Sequence, residues 1–503
     1  MAFGRTGVWS KSHPEGSQLA DSQDSSPAPG VDHERRWLAV PTIHSWGFIN
    51  SGKTTFENPE DPDVVLNEVH TVIPFAQNVP ITQISDMRDI SGVATAFNPN
   101  PMPPVSLLPA VSQLGNTDLL DYYLQQVCPR TAVISTTSSP FASVILPFSF
   151  SASPTLFKAI QALGACHRSR TDPAYSALGL RLKSETLRDL RRRLFDEGSA
   201  ICCADPEVLV IMMMLCLCEI VDKCDQHWIV HLKGAQDLIR LRRQRAALHP
   251  SSVAALDPVS DFAEHFFAFQ DVMGRTACAK AKRFESDYWP ADNREIDLWM
   301  GCSPGLVGIL STITDMSRAR RHLDSDAARE SFATRAASLE YQLTHLVQEI
   351  GDDIDDDQTL MSAAEAKRLA AVIYLHCALY GASPSTPVVA DHVREILQLV
   401  SDMLDRGKLA GVTWPIFVGA MELDPSRDEV WLDAEGESIS GRSIVLRALG
   451  VMTESTIVNI ARARAAIVQV WQARDQDLQV KRLSECNDWE WYVVPVSDAM
   501  NLG

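Results

Sequence analysis

Four short stretches carry residue types at spacings that could do chemistry. Residues 47–54 read GFINSGKT, the G-x4-G-K-T spacing of a phosphate loop with Lys53 at the phosphate-binding position. Such a loop holds phosphates with its own amides and the N-terminus of the next helix, so a strand must precede it and a helix follow. Pro59 and Pro62 stand where that helix would run, and the match reads as chance. Residues 301–305 read GCSPG, the spacing of a nucleophile elbow around Ser303. In that elbow the residue after the serine donates its N–H to the oxyanion, and here it is Pro304, which has none. Ser303 is better placed as an N-cap with Pro304 as the first helical residue. Residues 352–356 read DDIDD, matching the D-D-x-x-D run with which all-α terpenoid synthases hold magnesium and a diphosphate. No partner of the form N/D-D-x-x-S/T-x3-E follows, and Gly351 reads as the C-cap of the preceding helix, so a solvated acidic loop is expected. Cys224, His227 and His231 stand at C-x2-H-x3-H, which on a helix would put three ligands on one face, but no fourth ligand is nearby.

Charge argues in the same direction. Lys and Arg number 45 and Asp and Glu 64, giving a net charge of −19. Affinity for phosphate backbones or anionic lipid needs clustered cations. The clusters LRDLRRRLF, ending at Phe195, and IRLRRQR, ending at Arg245, read first as solvated helix faces and second as import or docking segments. No catalytic, cofactor-binding, metal-ligating or DNA-binding residue is assigned in this chain.

The elements behind these stretches divide at the prolines. Thirteen of the 28 prolines fall in residues 1–109. Residues 1–106 are therefore expected to be a proline-rich, largely disordered leader and 107–503 the folded body. From about Asp118 the spacing turns helical. Leu187, Leu190, Leu194 and Phe195 form one expected buried stripe, in a helix stopping near Gly198. Ser153 before Pro154 and Asp205 before Pro206 open two more helices. Further helices are expected over roughly 225–244, 258–273, 303–322, 326–350, 359–381, 387–407 and 455–474, with Trp414 and Trp471 as packing anchors. The fold class is all-α, a large antiparallel helical array with no fixed-period repeat.

Most of the eleven cysteines sit in apolar runs, as small hydrophobes do in a reducing compartment. The longest apolar run, Val208–Cys218, has eleven residues. A membrane span needs about 20. The chain opens without a signal-peptide core, so a soluble intracellular protein that does not engage membranes is expected.

Seven blocks in order resemble the fungal-specific transcription factor domain that usually follows a binuclear zinc cluster. They are DLLDYYLQQVCPR (118–130) with SSPFASVILPFSFSASPTLFKAIQALGACHRS (138–169), then KSETLRDLRRRL, HWIVHLKGAQDLI with Trp228 and His231, FFAFQDVMGRTA (266–277), LWMGCSPGLVGILSTITDMS (298–317), VTWPIFVGAMEL (412–423) and IVQVWQARDQ (467–476). The resemblance covers about 118–490. It implies an all-α regulatory domain of a nuclear transcription regulator, often pathway-specific, for instance for a secondary-metabolite gene cluster. It also implies that some relatives hold a small hydrophobic effector, for which Met212–Met214 could line a pocket, although core packing explains that run as well. The zinc cluster needs six cysteines beginning C-x2-C-x6-C, and the first cysteine here is Cys128. Either an upstream exon supplies the cluster, or the chain reaches promoter DNA indirectly, through a DNA-binding or coactivator partner or as a homodimer. The competing class is an all-α magnesium-dependent terpenoid-type enzyme using the DDIDD run.

Overall fold

Short polar side chains followed by proline start the principal helices. The side chain accepts an N–H of the first turn, while proline sits where no donor is lost. Ser153 accepts from Thr155, Asp205 from Glu207, Asp257 from Val259 and Ser260, and Ser303 from Leu306. The computed structural model describes residues 117–502 apart from 134–138, 225, 249–256, 278–283, 285–287, 291, 352–356, 425, 427–428, 433–437, 459 and 480–499. The expected leader thus lies outside the described residues, as do Lys53 and the DDIDD run.

In chain order the elements are α1 (Thr117–Tyr122), α2 (Leu146–Ser149), α3 (Pro154–Arg168), α4 (Ser176–Asp196), α5 (Ser199–Cys202), α6 (Pro206–Asp222), α7 (His227–Leu248), α8 (Pro258–Ala277), α9 (Pro304–Ala319), α10 (Asp326–Thr344), α11 (Asp357–Leu375), α12 (Pro387–Asp405), α13 (Thr413–Met421), an antiparallel strand pair β1 (Glu429–Leu432) and β2 (Ser438–Ser440), α14 (Gly441–Ser455) and α15 (Ile460–Gln479). The fold is all-α.

Two helices organise the packing. Every residue of α6 from Glu207 to Val221 is buried, because its apolar run has no polar face to give to water. It is enclosed by α3, α4, α7 and α8. In the second half α11, buried along most of Leu360–Leu375, is flanked by α9, α10, α12 and α13. Met213 and Met214 are fully buried in α6, so the Met212–Met214 run is core packing. The nine described cysteines are all free and buried, consistent with their apolar surroundings. No described helix is long and apolar enough to cross a membrane.

Several expectations are corrected. Phe195 is 87% exposed, while Leu182 and Leu190 are buried and Leu187 and Leu194 lie at the edge of the core. Five residues beyond Leu190, at about 100° each, carry Phe195 some 140° round the helix, off the stripe. The helix expected over 326–350 ends at Thr344, so Gly351 is not its C-cap. The chain leaves the helix because Glu349 pairs with the 294–296 segment and the Gln348 side chain bridges Ser303 and Ala364. The helix expected over 455–474 is displaced to Ile460–Gln479, and α14 and α13 were not anticipated. Two glycines and several β-branched residues lower the intrinsic propensity of α14, and α13 is buried on all sides and shows no stripe.

Trp414 and Trp471 are both buried, and Trp471 Nε1 donates to the Ala420 carbonyl at 2.7 Å. Trp471→Ala should cost about 3–5 kcal/mol. Phe195→Ala should change stability by less than about 0.5 kcal/mol. Urea unfolding of the two variants checks both, and equal midpoints would refute the assigned phases of α4 and α15.

Candidate functional site

A cavity of about 60 Å³ opens between the two helical sets. Its walls come from α6 through Leu217, from α8 through Phe266 and Gln270, from α11 through Lys367, and from the irregular segments around Arg130 and Trp299. Trp299 sits edge-on to Phe269, with ring centroids 5.0 Å apart, and 5.6 Å from Phe266, forming an aromatic wall.

Lys367 and Gln270 are among the polar side chains that line the same space, with Arg130 and three threonines. Lys367 is 5% exposed, and its Nζ donates to the carbonyls of Met300 at 2.6 Å and Gly301 at 3.4 Å. No carboxylate lies within ion-pairing distance of it among the described residues. Burial lowers its pKa from the ordinary lysine value, opposed by Cys302 and Asp297. Gln270 is 2% exposed, and its Oε1 has no hydrogen-bond partner among the described residues. Two glycines leave room around the ammonium and the neighbouring Val133. A Cβ on Gly301, at φ +63°, would stand 2.7 Å from Nζ and 2.4 Å from Val133, and one on Gly411, at φ +75°, would stand 2.5 Å from Val133.

Two arginines reach the cavity or its lining, and a third lies near in sequence. Arg130 lines it. Arg170 donates to the carbonyls of Thr456 at 2.8 Å and Thr453 at 2.6 Å, and Arg168 lies 4.1 Å over the Tyr175 ring. Between them His167 is buried and its Nδ1 meets Tyr122 Oη at 2.9 Å. Burial, then Arg170 and Arg130, bring the His167 pKa down to about 3.

The stretches singled out in the sequence do not converge here. Ser303 is buried as the N-cap of α9, and its N–H donates to Gln348 Oε1 at 2.8 Å, so GCSPG is a helix start. Cys224 precedes α7 with a positive φ, and its Sγ contacts the backbone of Asn501. His227 is exposed and His231 Nε2 faces Glu219 at 4.0 Å, so the three do not share a helix face. Lys367 and Gln270 were missed. The signal for Gln270 is a polar residue set in the apolar helical run FFAFQDVM; for Lys367 it is weaker, since AAEAKRLAAV also carries Glu365 and Arg368 on the partly solvated face of α11.

Gly301→Ala should destabilise by about 1–3 kcal/mol through its left-handed backbone alone. Gly450→Ala, in a helix with open space around the glycine, should be neutral or stabilising in the same denaturation assay. His167 binds its proton far less readily when folded than the ordinary value of about 6.5. Its contribution is full above pH 6.5 and declines as pH falls towards about 3. Stability should drop by up to about 1.4 kcal/mol per pH unit over that window from this residue. His167→Gln should flatten the acid limb of a stability-against-pH profile, and an unchanged limb would refute the assignment.

Comparison with known proteins gives one finding. The family model described as the fungal specific transcription factor domain matches residues 118–503, more than three quarters of the chain. No curated protein and no solved structure gave a significant match. The matched span takes in the whole described helical body, from α1 to the C-terminal residues that close over Cys224, and the chain belongs to the fungal specific transcription factor domain family of transcription regulators.

Proposed function

We propose that this chain acts in the nucleus as a non-enzymatic regulator of the genes of one pathway, such as a secondary-metabolite cluster, and that it reaches promoters through a DNA-binding or coactivator partner, or as a homodimer. Family membership supports regulation. The restriction to one pathway follows the resemblance in the seven sequence blocks.

The observation that carries indirect recruitment is the engagement of most of the two arginine clusters, Arg191 having no carboxylate partner among the described residues. Arg193 is paired with Asp205, with Glu207 at 3.3 Å and with Glu197 at 3.4 Å. Arg242 and Arg243 both meet the buried Glu264, and Arg240 meets Asp237 at 3.5 Å. Guanidinium groups held by carboxylates on their own fold are poorly placed to displace counterions from a duplex, and specific readout also needs an element that enters a groove.

Purified protein should therefore bind a cognate promoter duplex no better than random DNA, with affinity lost by about 0.15 M salt. Chromatin immunoprecipitation should find it at promoters only while its partner is expressed. Tight, sequence-selective binding by the purified chain at that salt would overturn indirect recruitment.

A further inference from the structure

The cavity between α6, α8 and α11 holds two buried polar groups whose needs are complementary to one kind of ligand. Gln270 Oε1 asks for a donor, and the Lys367 ammonium, held by two carbonyls, asks for an anion. The surroundings repeat the second demand. Acidic residues outnumber basic ones 64 to 45, and Arg193, Arg242, Arg275, Arg368 and Arg442 each have a carboxylate partner. Arg170, which donates to the carbonyl of the cavity-lining Thr456, has none among the described residues and rests on carbonyls instead. Asp297 is the acidic group nearest in influence to Lys367. Its Oδ1 is occupied by the N–H groups of Trp299 and Met300, both at 2.8 Å.

Size narrows the ligand. At about 10–15 Å³ for each water-sized group, about 60 Å³ accommodates about four to six. We propose that the cavity is a binding site for a short 2-hydroxycarboxylate. The carboxylate meets Lys367 and the cationic side of the cavity, the hydroxyl donates to Gln270 Oε1, and the alkyl group lies on the Phe266, Phe269 and Trp299 rings. So placed, the ligand joins α8 to α11, the helices through which the two halves of the body face one another at the cavity. The site stands on these contacts alone and is independent of how the chain reaches promoters.

Calorimetry and thermal melting of the purified full chain test it, with sodium lactate and sodium glycolate as probes at matched ionic strength. Propionate lacks the hydroxyl and lactamide lacks the charge, and they serve as controls. Lactate or glycolate should saturate with a Kd of about 10 mM or tighter, within the reach of a ligand this small. Propionate and lactamide should bind about tenfold more weakly. Gln270→Leu, close in volume and without an orphaned oxygen, should keep the fold and weaken lactate about tenfold, to the level of propionate. Lys367→Met should abolish binding. Should that variant not fold, Gln270→Glu puts a carboxylate against the ligand's own and should abolish binding instead. Absence of saturable binding by both hydroxy acids, lactamide binding as well as lactate, or unchanged lactate affinity in Gln270→Leu would each overturn the proposal and leave the cavity to water.

Discussion

The body depends on enclosing α6. A helix with no hydrophilic face is stable only when neighbours cover it all round, and α3, α4, α7 and α8 do so. Two carboxylates at its ends set the register of that enclosure. Glu207, in the first turn where the helix dipole favours a negative charge, accepts from the Ser153 N–H at 3.2 Å and pairs with Arg193 at 3.3 Å. Glu219, near the other end, pairs with Lys183 at 3.2 Å and faces His231. Burial alone would raise the Glu219 pKa, but the facing His231 and the hydrogen-bonded Lys183 outweigh burial and lower it. Arg193 and Lys183 both lie on α4, so the two pairs fix that helix antiparallel to α6. A slip of one turn would leave both carboxylates buried without their cations, an outcome far more costly than losing an exposed pair.

The second half solves the same problem less completely. Around α11 the buried residues are largely alanine and leucine, and the charged intruder is Lys367. Its stem crosses the core and its ammonium ends on carbonyls of the Met300–Gly301 turn, where two left-handed glycines clear the space. Carbonyls solvate an ammonium without neutralising it. The outcome is a cationic, partly apolar hollow in a protein whose net charge is −19. Low-dielectric walls strengthen that local field relative to the same charges in water.

How much of this was legible in the sequence can be judged from particular residues. Ser153, Asp205 and Ser303 before proline gave helix starts correctly, because capping is local and needs nothing beyond two or three residues. The Val208–Cys218 run was legible as buried, since no exposed helix is apolar on every side. The end of α10 was not, because it is decided by Gln348 and Glu349 finding partners in residues 294–303, some fifty positions back. Phe195 was misplaced for a smaller reason: the i+8 position from Leu187 lies within a helical stripe, but the centre of the stripe is set by Leu182, Thr186 and Leu190, which are buried. The C-x2-H-x3-H spacing failed because Cys224 precedes the helix.

The cavity was illegible for a different reason. Its polar groups come from Arg130 and Thr131, Gln270, Lys367, Thr413 and Thr456, and nothing in the local sequence of one predicts the distant others. What local sequence could show is that Gln270 and Lys367 interrupt apolar helical runs. Such residues must either find a partner within the fold or be left for something outside it. Lys367 finds carbonyls, Gln270 Oε1 finds none among the described residues, and both face one small space. Other buried polar groups, such as Glu264 and Asp271, are satisfied by side chains or backbone of the same fold. Burial separates Lys367 and Gln270 from arginines such as Arg192, Arg193 and Arg240 on α4 and α7, which lie nearer solvent and are met by carboxylates on the same fold. A dispersed cationic surface would attract polyanions of any shape. A single buried ammonium beside one amide oxygen instead selects for a small solute carrying an anionic end and a donor.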